Sequence, residues 1–236
     1  PESNWYGGAG YGKHQRPDLS NTQTMLDALR DAGVPPEDEA FQRAVAFITR
    51  AQNRSESNPA SWAGDDGGFV YTPAGEGESK VKSEAGSLRS YGSMTYAGFK
   101  SLLYAGLDVK DPRVQAALEW LRRHWTLDEN PGLGDQGYYY YLHVMSRALR
   151  AFGQDNITDD SGKVHDWRRE MAERLLALQE PDGSWINRKS DRWLEGESCL
   201  ATAYAVLALE EVMASGVTAS HSEMVPEPKA PSEASD

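Results

Sequence analysis

Hydrophobic and polar positions recur with helical spacing along most of the chain. The segment TQTMLDALRDAGV at 22–34 superposes on TYAGFKSLLYAGL at 95–107. The helical segments that follow them, AVAFITRAQ at 44–52 and ALEWLRRHW at 117–125, align at the same offset of 73 residues. Two successive helices that keep one offset predict an internal repeat of helical hairpins.

Two further copies of the first helix follow along the chain. YLHVMSRALRAFG ends at Gly153, and SCLATAYAVLALEEVMASG ends at Gly216. A glycine after the last periodic residue is typical of a helix end, because glycine adopts the left-handed conformation that closes many helices. The first helices of the four units are predicted near 21–33, 93–106, 139–152 and 197–215.

The two helices of each unit differ in composition. The first is small and apolar on every side, as in CLATAYAVLAL, whereas the second has Arg and Glu on one face, as in DWRREMAERLLALQ. The first type is therefore expected to be buried on both sides and the second to face solvent on one side. Alternation typical of strands is confined to short pieces such as GGFVYTP. The predicted fold class is all-α, with helical-hairpin repeats in concentric inner and outer layers.

The helical pattern does not extend into the last residues. The segment 220–236 is rich in Pro, Ser, Ala and Glu and has few residues that could be buried. Such a composition cannot offset the entropy of ordering, so a flexible acidic tail is predicted there, with a linker as the alternative. Residues 1–219 are predicted to form one repeat domain.

The charge and the cysteine content exclude several classes of partner and site. The net charge of −12 argues against binding a nucleic-acid backbone or an anionic membrane surface through bulk electrostatics. The single cysteine, Cys199, excludes an intrachain disulfide and a cysteine-rich metal cluster. No apolar run approaches the roughly 18 residues that a transmembrane helix needs.

Two loops between the helices carry related motifs. Asp-Gly-Gly-Phe at 66–69 matches Asp-Gly-Ser-Trp at 182–185, with an aromatic residue after a tight turn. The stretch LQEPDGSW resembles the Gln-Trp repeat motif of squalene–hopene and oxidosqualene cyclases, and the small-residue helices resemble those of the terpenoid cyclase and protein prenyltransferase superfamily. The resemblance covers residues 10–216 and implies a partial α/α toroid. It also implies that the rest of a toroid, in a longer parent chain, is a possible partner.

A degenerate acid motif stands at the start of the first helix. Asp18-Leu19-Ser20-Asn21-Thr22 resembles the Asp-x-Asp-Asp-Thr motif with which squalene–hopene cyclases protonate an alkene. The resemblance makes Asp18, Ser20 and Asn21 the candidate catalytic residues. Ser20 stands where the family has its proton donor, and an alcohol cannot protonate an alkene, so classical cyclisation is expected to be lost. The same residues predict a helix cap, in which Ser20 or Asn21 accepts backbone N–H bonds and Asp18 complements the helix dipole.

A second segment that resembles the family lies at the start of the last helix. Gly196-Glu197-Ser198-Cys199 resembles the Gly-Glu-x-Cys segment that supports the catalytic acid of squalene cyclases. Glu197 and Cys199 also resemble the Asp-x-Cys zinc ligands of prenyltransferases, which need a His from a neighbouring inner helix. Only His143 lies on such a helix, and a structural zinc site usually needs four ligands. No zinc and no cofactor are predicted.

Four consecutive tyrosines, 138–141, begin the third inner helix. At about 100° per residue their rings fan around the helix, so some of them are expected to face the interior. An aromatic lining of this kind attracts cations or stacks on sugar rings. The alternative is that the tyrosines fill the space between helices. The predicted ligand-binding residues are Tyr71, Tyr96, Tyr138, Tyr139, Tyr141 and Glu197.

Three hypotheses for the function remain open at this stage. The first is a squalene-cyclase- or prenyltransferase-like repeat protein that binds a hydrophobic or isoprenoid ligand and lacks the proton-donating acid. The second is a carbohydrate-active α/α barrel, a lyase or glycosidase, in which paired carboxylates lie in one aromatic cleft. The third is a non-catalytic interaction scaffold without a deep pocket. The carboxylates considered for the second hypothesis are Asp65, Asp66, Asp135 and Glu197.

Overall fold

The computed structural model describes residues 2–12, 15–81 and 87–214, and within them the chain is mostly helical. The helices are α1 (Leu19–Asp31), α2 (Glu39–Arg50), α3 (Gly92–Tyr104), α4 (Pro112–Arg123), α5 (Tyr138–Phe152), α6 (Trp167–Leu178) and α7 (Ser198–Met213). The all-α prediction is confirmed. The four first helices lie within a few residues of their predicted positions, and the predicted tail, 220–236, lies outside the described residues.

Local sequence explains where most helices begin and end. An aspartate caps α1, α2, α4 and α6 by accepting a backbone N–H from the first turn. Pro112 occupies the first turn of α4, where its missing N–H costs nothing. Gly33, Gly106 and Gly153 follow α1, α3 and α5 with φ values of 76°, 79° and 72°, as the glycine pattern predicts.

The odd-numbered helices form one row. α1 packs on α3, α3 on α5, and α5 on α7. The even-numbered helices pack on this row: α2 on α1 and α3, α4 on α3, and α6 on α5 and α7. Every residue of α3 except Leu103 is buried, because neighbours cover it on all sides.

The prediction of burial on both sides is wrong for α7. Only Ala201, Ala205, Ala208 and Glu211 are buried in this helix. Val206 and Leu207 are 42% and 40% exposed, although they are as apolar as the residues of α3. The reason is that α7 has close neighbours on one flank only, α5 and α6, in the described part of the chain.

A short hairpin, which the sequence pattern did not predict, interrupts the helices between α5 and α6. Strand β1 (Asn156–Thr158) pairs antiparallel with β2 (Val164–Asp166), and Ile157 lies opposite His165. His165 is buried between the carboxylates of Asp159 and Glu170, with nitrogen–oxygen distances of 3.1 and 2.8 Å. Each strand has three residues, which is too short for a clear alternation.

Candidate functional site

A cavity of about 450 Å³ opens where the N-terminal ends of α1, α3 and α5 approach one another. Ser20 contributes to its wall from α1, Met94 from α3, and Tyr140 from α5. Loop residues and α7 complete the wall. Among the residues that the structure describes, six aromatic side chains line it: Tyr11, Tyr71, Tyr91, Tyr140, Trp193 and Tyr204.

Of the three candidate catalytic residues, only Ser20 belongs to the wall of this cavity, and the three have separate roles. Asp18 is the N-cap of α1: its Oδ1 accepts the backbone N–H of Asn21, and its Oδ2 accepts the side-chain amide of Asn21, both at 2.8 Å. The predicted cap therefore exists, but Asp18 is the acceptor and Asn21 is a donor. Ser20 does not cap the helix. Its hydroxyl lies 2.8 Å from the hydroxyl of Tyr140, so the two residues join α1 to α5.

Behind Tyr140, hydrogen bonds lead into a buried ion pair. The side-chain amide of Gln23 lies 3.3 Å from the Tyr140 hydroxyl, and its oxygen accepts from Lys100. Lys100 is fully buried and donates to both oxygens of Asp27. Burial lowers the pKa of Lys100 to about 8, although the charge of Asp27 opposes this. The pair lies at equivalent positions of the first two repeats, 73 residues apart.

Only one residue of the tyrosine run, Tyr140, lines the cavity, and it is the one that the sequence analysis left out. Tyr138 and Tyr141 point away from it and donate to the carbonyls of Leu127 and Thr126, at 2.6 and 2.7 Å. Tyr139 is buried against Tyr138, with 5.4 Å between ring centroids. These three rings fill the space between helices, which is the alternative that the sequence left open.

Of the predicted ligand-binding residues, only Tyr71 lines the cavity. Tyr96 is buried against Tyr141, with ring centroids 5.7 Å apart, and has no place in the wall. Glu197 is exposed and also lies outside the wall. The residue that takes its place is Glu195, two positions earlier, which lines the cavity and is 1% exposed.

Glu195 caps α5 from a distant part of the chain. The helix begins after Gly137, which has no side chain to offer as a cap. One oxygen of Glu195 accepts the backbone N–H of Tyr140 at 2.8 Å, and the other accepts the amide of Asn187 at 2.9 Å. Burial raises the pKa of Glu195, while these hydrogen bonds oppose the rise. The uncapped start of α5 was the one signal in the sequence that an acceptor must come from elsewhere.

The rim of the cavity next to Glu195 has a strained backbone. Trp193 and Leu194 have φ values of 59° and 66°, a left-handed conformation that bulky residues rarely adopt. A Cβ atom at Gly137 would lie 2.9 Å from the Trp193 ring, so the absence of a side chain there lets the indole approach. The buried anchors Glu195 and Asn187 hold the strained segment in place.

Among the described residues, Lys80 is the only lysine in the cavity wall. Its ammonium lies 4.0 Å from the centroid of the Tyr71 ring, and it forms an ion pair with Glu78. Glu78 also pairs with Arg16. Burial opposes the ionised form of Glu78, but the hydrogen bonds from the two cations lower its pKa.

The carboxylates that the carbohydrate hypothesis requires do not meet in this cavity. Asp65 accepts the backbone N–H of Ser55 at 2.8 Å, and Asp66 accepts the hydroxyl of Ser90 at 2.8 Å. Asp135 lies 3.1 Å from Lys189. None of these groups belongs to the wall.

The described residues 2–12, 15–81 and 87–214 contain no cluster of three or more His, Cys, Asp and Glu side chains placed to hold a metal ion. Over the same ranges, no helix combines the length and the apolar character needed to cross a membrane. No protein-family model matches the chain, and no curated protein matches it at a significant level.

Proposed function

We propose that this chain binds a small ligand with an apolar carbon body in the tyrosine-lined cavity and does not cyclise it. The ligand class that the sequence resemblance implies is an isoprenoid. The observation that carries the proposal is the convergence of six aromatic side chains on one cavity at the ends of three inner helices. Its volume of about 450 Å³ lies within the usual range of small-molecule sites.

The chemistry of the wall supports binding more than catalysis. Ser20 and Tyr140 share a hydrogen bond, and burial raises the pKa of Tyr140 well above its ordinary value. Neither hydroxyl is therefore acidic enough to protonate an alkene. Burial raises the pKa of Glu195, so its carboxyl group is a weaker acid than an ordinary glutamic acid and is not suited to protonate an alkene.

The arrangement of the helices supports a partial α/α toroid as the scaffold. In this arrangement α1, α3, α5 and α7 form the inner layer and α2, α4 and α6 the outer layer. The contacts between successive odd-numbered helices are those that such a layer requires. The cavity then lies at one end of the inner layer, where the helix N-termini meet.

Binding and turnover of isoprenoids test the proposal directly. The protein is incubated with farnesol, farnesyl diphosphate or squalene, and bound and converted material is measured by mass spectrometry. We expect recovery of at least one isoprenoid, chemically unchanged. Cyclised squalene would contradict the non-catalytic part of the proposal, and failure of all three to bind would contradict the isoprenoid as the ligand class.

A matched pair of tryptophans locates the binding site. Trp193 and Trp5 are 43% and 44% exposed, but only Trp193 lines the cavity. We expect Trp193→Ala to weaken binding about 5- to 20-fold, because a large aromatic contact is lost, and Trp5→Ala to leave it within about twofold. Equal effects of the two substitutions would place binding outside the cavity. Binding and cleavage of an oligosaccharide would instead support the carbohydrate hypothesis.

A further inference from the structure

The cavity wall contains a buried carboxylate that pairs with no cation among the described residues. Glu195 is 1% exposed, and the groups that hydrogen-bond to its oxygens are backbone amides at the start of α5, chiefly that of Tyr140, and the neutral side chain of Asn187. In the part of the chain that the structure describes, no lysine, arginine or histidine forms an ion pair with it. A buried charge without a counter-ion is costly, so an acid at this place needs a reason.

Capping of α5 does not by itself explain the charge. The neighbouring helix α3 is also capped from a distant loop, by Asn130, whose side-chain oxygen accepts the backbone N–H of Ser93 at 3.0 Å. Asn130 is fully buried and neutral. Since an amide suffices at α3, the cap of α5 requires an oxygen acceptor but not a carboxylate. The N-terminal dipole of α5 stabilises the charge only in part.

Aromatic rings surround the same part of the wall. Tyr140 and Tyr204 meet edge to face, with 5.6 Å between their centroids, and both line the cavity. The pKa of Tyr204 is raised by burial and also by the negative charge of Glu195. Ring faces attract cations through their quadrupole, and they do so most strongly where water is excluded.

Together these features lead us to propose that the ligand of this cavity has a cationic ammonium head group, bound among Tyr140, Tyr204 and Glu195. The inference rests on the proposed function, because the apolar body of the ligand occupies the rest of the cavity. The protein's own cations indicate the preference of the rings: Lys80 lies over Tyr71 and Arg192 over Trp193, at 4.0 and 4.5 Å. The net charge of −12 also favours cationic ligands at long range.

Three probes with the same hexyl chain separate the head group from the body. Hexyltrimethylammonium, 1-hexanol and hexyl phosphate are titrated at low ionic strength, with binding measured by calorimetry and tryptophan fluorescence. We expect the ammonium compound to bind at least about 10-fold more tightly than hexanol, because both the rings and the carboxylate act on its charge. Equal affinities, or preference for the phosphate, would overturn the inference and leave the proposed function intact. If none of the probes and none of the isoprenoids binds, the proposed function itself fails.

Two substitutions test the roles of the charges. Glu195→Gln keeps an oxygen for the backbone N–H of Tyr140, as Asn130 provides for α3, so the variant is expected to fold, and thermal melting checks this. We expect the ratio of ammonium to hexanol affinity to fall about 10-fold in this variant and to stay unchanged in Glu197→Gln, whose carboxylate is exposed outside the cavity. An unchanged ratio in a folded Glu195→Gln variant would contradict the role of the carboxylate.

Lys80 gives an independent test of the sign of the ligand charge. Its ammonium lies in the cavity wall and repels a ligand cation, so Lys80→Met is expected to raise the ammonium affinity about two- to fivefold. If the natural head group were an anion, the same substitution would weaken binding of hexyl phosphate and leave the ammonium compound unaffected. That result would overturn the inference.

Discussion

The turn before α3 and the turn before α7 share their backbone geometry but differ in their surroundings. Gly67 and Gly183 have φ values of 85° and 87°, and the residue after each turn is a buried aromatic, Phe69 or Trp185. A third such turn, at Gly7 with φ 83°, precedes α1. The sequence comparison missed it, because it lacks both the aspartate and the aromatic residue.

The same hydrogen bond joins each turn to the odd-numbered helix that follows it. The backbone N–H of Phe69 donates to the hydroxyl of Thr95 at 3.1 Å, and that of Trp185 donates to Thr202 at 2.9 Å. Before α1, the N–H of Ala9 donates to Thr22 at 3.0 Å, and Thr22 lies one repeat offset before Thr95. The repeat is therefore one of contacts as well as of sequence.

The turns differ in how closely other helices pack against their glycines. A Cβ atom at Gly67 would lie 2.4 Å from the carbonyl oxygen of Ala116 in α4, and one at Gly7 would lie 1.9 Å from that of Arg43 in α2. At Gly183 the nearest atom would be 3.9 Å away, on the side chain of Gln179. The turns thus share a backbone conformation, but the one at Gly67 is tightly packed and the one at Gly183 is not. The helices that follow them, the buried α3 and the half-exposed α7, show the same contrast.

The sharpest test of this contrast compares two ion pairs: Lys100 with Asp27, between α3 and α1, and Arg150 with Glu211, between α5 and α7. Lys100→Met removes a fully buried partner of Asp27, whereas Arg150→Met removes a partly exposed partner of Glu211. We expect Lys100→Met to lower the free energy of unfolding by about 3–5 kcal/mol, because it leaves a buried carboxylate without its closest cation. Arg150→Met is expected to cost about 1 kcal/mol or less. Urea denaturation measures the loss of stability in both variants. Similar losses would show that the two ion pairs are equally shielded from water.

Substitutions in the turns come next in size. Gly67→Ala is expected to cost about 2–4 kcal/mol, because the new methyl group meets a backbone carbonyl and the residue must also keep a positive φ. Gly183→Ala is expected to cost only about 1–2 kcal/mol, from the positive φ alone. The difference between the two melting curves is the measurement. Its absence would mean that α4 moves freely away from Gly67.

The pH dependence of stability probes the contact between α5 and α7. His143 of α5 stacks on Tyr204 of α7, with 5.7 Å between centroids, and burial lowers the pKa of His143 to about 3. The unfolded chain has the ordinary pKa near 6.5, so below that pH it binds a proton that the folded state excludes. The contribution of neutral His143 to stability is fully present above about pH 6.5 and is lost as the pH falls towards 3.

The expected loss attributable to His143 is about 2 kcal/mol between pH 7.5 and pH 5, and His143→Leu is expected to remove it. Denaturant titrations of both proteins at the two pH values give the difference. A parallel pH dependence in the variant would indicate that water reaches His143 and that the α5–α7 contact is looser than the α3–α5 contact.

The threonine hydrogen bonds give the smallest expected effect. Thr95 is fully buried and Thr202 is partly exposed. Replacing Thr95 with valine leaves a buried N–H without an acceptor, at a cost of about 1–2 kcal/mol. Thr202→Val is expected to cost about half as much, since water can reach its donor. Amide hydrogen exchange at Phe69 and Trp185 reports each bond directly, and equal protection after substitution would argue against its importance.

The sequence by itself determined the elements and their repetition. The apolar spacing, the capping aspartates and the closing glycines act over one or two helical turns, so their effect could be predicted without knowledge of the neighbours. The 73-residue offset added the equivalence of α1 with α3 and of α2 with α4.

Only the tertiary structure decided which side chains meet. Four successive tyrosines point in four directions around α5, and the packing of α7 and α1 against that helix placed Tyr140 in the cavity. Glu195 lies in the cavity wall and Glu197 does not, because the side chain of Glu195 reaches the uncapped start of α5. That helix begins 57 residues earlier in the chain, at Tyr138. The exposure of α7 has the same origin: its composition is that of a buried helix, but burial depends on neighbours, and local sequence does not specify them.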